Sequence, residues 1–216
     1  AEDNEVNRDV IRRQLEMLGH RVDLAVDGLK AFRKWEEESY DLLLTDLHMP
    51  NKDGYELTAL IRESERQLHL KRTPIIALTA NAMKGEEARC LKEGMDAYLS
   101  KPIELARLKS VLDQWKPTPD ASAPEIAEET IEPPHDAELP ELPVFDPDIL
   151  TKMVGSNPSV HQRLLAVFLD SVHERKTALL AAQANQDHAA IGQIAHSLKS
   201  AARSVGAMQL GDLCEK

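Results

Sequence analysis

The sequence predicts an α/β domain with a doubly wound parallel sheet, followed by an all-α region. Short apolar runs of strand length alternate with helical patterns over residues 1–116, which is typical of a parallel sheet covered by helices on both faces. A stretch rich in proline and acidic residues follows at 117–144, and only helical patterns occur over 145–216. We therefore expect two domains joined by an extended linker.

The elements of the first domain follow from apolar periodicity and from residues that start or stop helices. Asn4 can cap the first helix and Gly19 can end it, while Gly54 opens a later helix and Gly94 closes another. In chain order, the prediction is a helix at 4–18, a strand at 21–26, a helix at 29–38, a strand at 41–45, a helix at 54–67, a strand at 74–79, a helix at 83–93, a strand at 97–100 and a helix at 104–115.

The second half of the chain has a different character. Seven prolines interspersed with acidic residues predict a solvated, extended linker at 117–144. Helical patterns then cover 146–154, 158–185 and 187–204, and a further helix begins at Met208.

Composition excludes several classes of function. The net charge of -11 and the aromatic content of 4% argue against nucleic-acid binding. No apolar run is long enough to span a bilayer, so we expect no direct membrane contact. Cys90 and Cys214 lie far apart without metal-ligand spacing and suit a cytoplasmic location.

Polar side chains are predicted to gather at the carboxyl ends of the strands, where open parallel sheets place their chemistry. Asp46, Thr79 and Lys101 each follow or end a strand, and Glu2 and Asp3 precede the first helix. Three carboxylates in one cleft repel one another unless a cation joins them, and a hard divalent ion such as Mg²⁺ suits oxygen ligands. Asp46 would then act as a nucleophile that forms an acyl phosphate, with Lys101 and Thr79 holding the phosphoryl oxygens.

A histidine on the predicted helix at 187–204 is the second candidate. At about 100° per residue, an apolar stripe runs along one side of this helix and His196 lies opposite it, sharing its face with Lys199, Ser200 and Arg203. Lys199 and Arg203 could steady a phosphoryl group, and small neighbours leave room for a partner. A solvent-exposed histidine without a functional role would lie on the same side of the helix, so this alternative stays open from helical position alone.

The first domain resembles the receiver domain of two-component response regulators, over residues 1 to about 116. The resemblance rests on Glu2-Asp3-Asn4, Asp46-Leu47-His48-Met49-Pro50 with Gly54, Leu78-Thr79-Ala80, and Lys101-Pro102. It implies a flavodoxin-like fold with Asp46 as phosphoacceptor. It implies Mg²⁺ bound by Asp3, Asp46 and the backbone carbonyl of His48, with Glu2 assisting through water. Thr79 and Tyr98 match the switch positions of the family.

The helical region resembles the histidine phosphotransfer (HPt) domain, over about 145–216. His196 would be the phosphohistidine, with Lys199 three residues later and Ser200 where the family often has glycine. A receiver, a linker and an HPt domain in this order resemble the C-terminal end of an unorthodox hybrid sensor histidine kinase. The implied partners are an upstream kinase core, expected in the same parent chain, and a downstream response regulator that docks on the His196 face. The location implied is the cytoplasmic portion of an inner-membrane sensor kinase.

The sequence departs from both families at its ends. The receiver family has an apolar strand before the acidic pair, whereas this chain starts at Ala1; the HPt family has a further helix at its end. We therefore expect a receiver that lacks its first strand and a partial four-helix bundle, as in an internal fragment. The chain contains no ATP-binding glycine motifs of a kinase core.

Three interpretations compete with a relay from Asp46 to His196. One is a non-catalytic binding module gated by phosphorylation, and another is a stand-alone receiver–HPt protein. A third is a phosphatase of the haloacid-dehalogenase type, which also uses a strand-end aspartate. That class needs a second aspartate two residues later, and His48 occupies this position.

Overall fold

The computed structural model describes residues 1–80, 85–115 and 143–215, so the predicted linker at 117–144 lies almost wholly outside the described residues. Over the described residues, the first part contains three parallel strands and five helices: α1 (Glu5–Met17), α2 (Gly28–Glu37), β1 (Leu43–Asp46), α3 (Gly54–Leu68), β2 (Ile75–Thr79), α4 (Glu86–Lys92), β3 (Ala97–Ser100) and α5 (Leu105–Gln114). The second part is helical: α6 (Pro147–Val154), α7 (Pro158–Ala184), α8 (His188–Val205) and α9 (Met208–Leu213). Among the described helices, none has the length and apolarity needed to cross a membrane.

The described sheet has the order β1-β2-β3, with all neighbours parallel. Leu44 pairs with Ile76, and Leu78 pairs with Leu99. Every residue of the central strand β2 is buried, as expected for a strand covered on both faces. This register brings Asp46, at the end of β1, to the same edge of the sheet as the ends of β2 and β3.

The predicted strand at 21–26 is wrong. This segment has no assigned strand, and a cavity of about 470 Å³ lies between it and β1, lined by side chains that include Val22, Leu43 and Trp115. Backbone pairing across this gap occurs at the end near Asp46, where Asp46 N–H donates to the Ala1 carbonyl and Glu2 N–H donates to the Ala25 carbonyl. A strand needs a ladder of such bonds along its length, and two residues bridge only one end.

Helix α1 connects the two halves of the molecule. One side carries Ile11 and Leu15, which pack in the core formed with β2, β3 and α5. The other side carries Val6 and Val10, which are 0% and 1% exposed and pack with the apolar residues of α6, α7 and α8. Helix α1 therefore contributes to two separate cores, one in the receiver-like part and one in the helical part.

Candidate functional site

Asp46 lies beside Lys101 at the edge of the sheet. Lys101 Nζ donates to Asp46 Oδ2 at 2.5 Å and to Glu2 Oε2 at 2.6 Å. The Lys101 backbone N–H donates to the Thr79 carbonyl at 2.7 Å, so continuation of β3 beside β2 positions the lysine. Burial alone would lower the pKa of Lys101, but the charges of Glu2 and Asp46 outweigh it and raise the pKa. The ammonium therefore stays charged.

Three carboxylates converge around this lysine. One oxygen from each of Glu2, Asp3 and Asp46 lies within 4.8 Å of the others. Burial raises the pKa of Glu2 and of Asp3, and the charge of Asp46 raises both further. The single positive charge of Lys101 does not balance three carboxylates. Their oxygens form a donor set that fits a hard divalent cation.

The remaining residues of the receiver motifs lie on β2, on β3 and directly after β1. Thr79 is buried at the end of β2. Tyr98 is half-buried on β3, and its burial and a hydrogen bond to Glu87 raise its pKa. The His48 backbone N–H donates to Asp46 Oδ1 at 3.3 Å, while its side chain is exposed.

Gly54 allows the first turn of α3 to pass directly over the end of β1. The Asp53 side chain and Glu56 form a capping box that fixes this helix start. A Cβ at Gly54 would lie 2.4 Å from the Asp46 carbonyl oxygen and 3.0 Å from Leu47 Cα. The glycine therefore sets the backbone position of Asp46.

Gly54→Ala should destabilise the chain by about 3 kcal/mol or more, because backbone atoms on both sides must shift to accept the methyl group. The free energy of unfolding measured by chemical denaturation tests this. Gly192→Ala is the matched control: a Cβ there meets nothing within 4 Å in the interior of α8, so it should be neutral or stabilising. Equal denaturation midpoints for Gly54→Ala and the wild type would contradict the expectation.

His196 lies against the receiver site. Its ring contacts that of His48 edge to face, with centroids 5.2 Å apart and planes at 87°. Burial and the His48 charge lower the pKa of His196 below its ordinary value of 6.5; Asp46 opposes this, and Lys101 and Lys199 reinforce it. A lowered pKa keeps the imidazole neutral, which is the nucleophilic form.

Acidification should weaken the contact between α8 and the receiver site. The undocked imidazole has the higher pKa, so it binds a proton more readily than the docked one. The docking contribution of neutral His196 is therefore present above about pH 6.5 and lost as the pH falls below it. NMR titration of the His196 ring should give a midpoint below 6.5, and His48→Ala should move it upward. A midpoint above 6.5 would contradict this.

The basic residues next to His196 have other partners. Lys199 Nζ pairs with Glu215 Oε1 at 2.7 Å, and Arg203 pairs with Glu215 and Asp212. The role of Lys199 at a phosphoryl group stays a prediction. Sequence analysis missed Arg175 on α7, which donates to Ser197 Oγ at 3.1 Å and whose charge acts on Asp3.

Polar contacts join α1 to α8 beside His196. Asn4, the cap of α1, donates from Nδ2 to the carbonyl and to Oγ of Ser197, both at 3.1 Å. Asn7 donates to Ser200 Oγ at 2.9 Å, and Ser200 is 7% exposed. No local sequence signal marks these pairs, because the partners lie 193 residues apart.

Ser200→Trp should slow any transfer to His196 by about tenfold or more, because an indole at this buried position must push α1 away from α8. Gln193→Trp is the control, since Gln193 is exposed on the same helix. The rate of label appearing on His196 is the measurement. If Ser200→Trp transfers at the wild-type rate, this face of α8 does not contact α1 during transfer.

Comparisons with known proteins agree with this geometry. The model of the response regulator receiver domain matches residues 1–113, and that of the Hpt domain matches residues 163–216. The chain therefore belongs to the receiver domain family and carries an Hpt domain after the receiver.

Similar proteins with the same combination are sensor kinases. The chain is 34% identical to the sensor histidine kinase GacS of Pseudomonas protegens over 100% of its own length and 23% of that protein. It is 33% identical to the sensor protein EvgS of Escherichia coli over 97% of its length and 16% of that protein. The chain thus spans less than a quarter of these relatives.

A solved complex shows a related receiver with an HPt protein. It contains the Saccharomyces cerevisiae histidine phosphotransfer protein Ypd1 and the receiver domain of its downstream response regulator Ssk1. The match has a TM-score of 0.51 and 29% identity, covering 53% of this chain and 83% of that one.

Proposed function

We propose that this chain is a phosphorelay module in which Asp46 accepts a phosphoryl group and passes it to His196. The observation that carries the proposal is the contact of the His196 ring with His48, two residues from Asp46, whose carboxylate is hydrogen-bonded to Lys101. Two phosphoacceptor groups then face one interface. The domains we assign are a receiver at 1–116, a linker at 117–144 and an HPt domain at 145–216.

The transfer balances without a co-substrate. An Asp46 carboxylate oxygen attacks phosphorus on an incoming phosphohistidine, so a P–O bond forms and the donor's N–P bond breaks. A lone pair of neutral His196 then attacks the same phosphorus; an N–P bond forms, the P–O bond breaks, and the Asp46 carboxylate is restored. Lys101 and Thr79 hold the phosphoryl oxygens during both steps. Both products are high-energy phosphates, so transfer can run in either direction.

Mg²⁺ suits the acidic cluster as the cofactor of the first step. Asp3, Asp46 and the His48 backbone carbonyl would hold it, with Glu2 assisting through water. When bound, the cation neutralises charge on the phosphoryl oxygens. The same acidic residues then orient Asp46 for in-line attack.

The partners follow from the direction of the relay. Because sensor kinases match 97% to 100% of this chain, a histidine kinase core of the same parent chain is the proposed upstream donor. A separate response regulator that docks on the His196 face is the proposed acceptor. The cytoplasm is the proposed location, and neither nucleic acid nor membrane contact has a part in the mechanism.

Labelling with a small phosphodonor tests the function. The full chain is mixed with acetyl phosphate and Mg²⁺, and the labelled residues are mapped by mass spectrometry. A relay gives label on Asp46 and on His196, and the His196 label is lost on acid treatment. A non-catalytic module gated by phosphorylation gives label on Asp46 alone.

A further inference from the structure

Asn7 is a buried amide in an apolar contact. It lies on α1 between Val6 and Val10, which pack against α8, and its side chain is 3% exposed. A buried amide is tolerated when its polar atoms have partners and is costly when they do not. The partners of Asn7 therefore decide which surface can cover this side of α1.

The Asn7 amide has partners from both domains. Nδ2 donates to Glu2 Oε1 at 3.1 Å and to Ser200 Oγ at 2.9 Å, and Oδ1 accepts from Ser204 Oγ at 2.9 Å. An ionised carboxylate only accepts hydrogen bonds, so Glu2 fixes which end of the amide is nitrogen. The amide then presents one donor and one acceptor to the two serines.

The two serines continue a row that begins at the phosphoacceptor of α8. His196, Ser200 and Ser204 are spaced by four residues and so lie along one face of the helix. A slip of α8 by one turn moves His196 by about 5.4 Å along the helix axis. The same slip takes one serine away from Asn7, and the loss of one buried hydrogen bond disfavours that register by roughly tenfold.

We propose that Asn7 is a specificity-determining and positioning residue, which selects HPt helices with small hydroxyl residues four and eight positions after the phosphoacceptor histidine. This rests on the proposed relay between Asp46 and His196. Through Glu2, the amide that recognises the serine pair is also hydrogen-bonded to the acidic cluster. The correct register of α8 is thereby fixed relative to Asp46 itself. An HPt helix with alanine at both positions leaves Asn7 Oδ1 without its serine donor and Nδ2 hydrogen-bonded to Glu2 alone, and a bulky apolar residue displaces the side chain.

Serine variants in the full chain test the selection without altering the receiver. Ser200→Ala combined with Ser204→Ala should slow the appearance of label on His196 by about tenfold, given the loss of two buried hydrogen bonds. Loading of Asp46 from acetyl phosphate, measured with His196→Gln added, should change by less than about twofold, because Glu2, Asp46 and Lys101 keep their contacts. Thr177→Ala is the control, since its hydroxyl donates to the His173 carbonyl on its own helix.

A double-mutant cycle separates recognition from general destabilisation. Asn7→Ala should slow transfer by a similar factor, and adding both serine changes should give little further loss, since the bonds are shared. If the serines had only a structural role, the loss of transfer rate caused by replacing them would instead multiply with the loss caused by Asn7→Ala. Either that result or a wild-type transfer rate in the double-serine variant overturns the inference.

Hydrogen exchange distinguishes failure of this inference from failure of the relay. Amides of α1 and α8 that pack at the contact should lose protection in the double-serine variant, whether or not phosphate moves. If His196 of the wild type takes no label but protection depends on the serines, the relay fails and the selection by Asn7 holds. If label reaches His196 and protection is unchanged in the variant, the relay holds and the selection fails.

Discussion

Asp46→Asn should reduce phosphorylation of the full chain to background, a loss of at least about a thousandfold in rate, as expected when a covalent nucleophile is removed. Asparagine keeps the shape of the side chain, but its amide oxygen forms no stable acyl phosphate. Lys101 keeps its contact with Glu2, so the site should stay assembled. Because the proposed relay loads His196 from Asp46, the label on His196 should vanish as well.

Asp41→Asn is the matched control for this change. Asp41 is exposed just before β1 and lies away from the acidic cluster. Mass-spectrometric mapping after incubation with acetyl phosphate and Mg²⁺ should give wild-type labelling for the control. Wild-type labelling of Asp46→Asn, at any other receiver residue, would remove Asp46 from the mechanism.

His196→Gln should abolish the acid-labile phosphohistidine while label accumulates on Asp46. Glutamine lacks the imidazole nucleophile but favours helix, so the helical content measured by circular dichroism should stay unchanged. The loss at the second site should again reach about a thousandfold or more, because a nucleophile is deleted.

His188→Gln is the control on the same helix. His188 is exposed at the first turn of α8, far from the receiver site. His161 and His173 should also be replaceable: their ring nitrogens contact the carbonyls of Gly155 and Leu169 within the helical part. If acid-labile label persists in His196→Gln, one of these histidines is the phosphoacceptor instead.

Local signals in the sequence were sufficient for most of the fold. Short apolar runs predicted β1, β2 and β3, and capping residues such as Asn4 and Asp53 begin the helices that follow. The strand predicted at 21–26 is absent because a strand depends on its neighbours, and among the described residues this segment has one backbone partner outside itself, Glu2, whose N–H donates to Ala25. A local sequence pattern describes the segment itself and carries no information about the backbone that lies next to it in the fold.

The candidate site likewise contains residues that local sequence patterns predicted and contacts that they did not. The positions of Asp46, Lys101 and Glu2 relative to the strand ends predicted that they lie close together, because the carboxyl ends of parallel strands share an edge. The contact of Asn7 with α8 depends on how the receiver-like part packs against the helical part, and that of Arg175 depends on how α7 packs against α8. No periodicity encodes either. The pairing of Lys199 with Glu215 likewise depends on where α9 places the chain end.

Helix α1 has one further consequence. Its Val6–Val10 side packs in a cluster with Ala201, Ala202 and Val205 of α8; under the proposed relay, a second receiver that docks on the His196 face would need this part of α8 as well. Because both units belong to one polypeptide, the tethered receiver competes at an effective concentration on the order of millimolar. A free receiver at micromolar concentration gains access to His196 only in proportion to the lifetime of the state in which α1 is separated from α8. Under the proposed relay, the rate at which α1 leaves α8 therefore sets an upper limit on transfer from His196 to a second receiver.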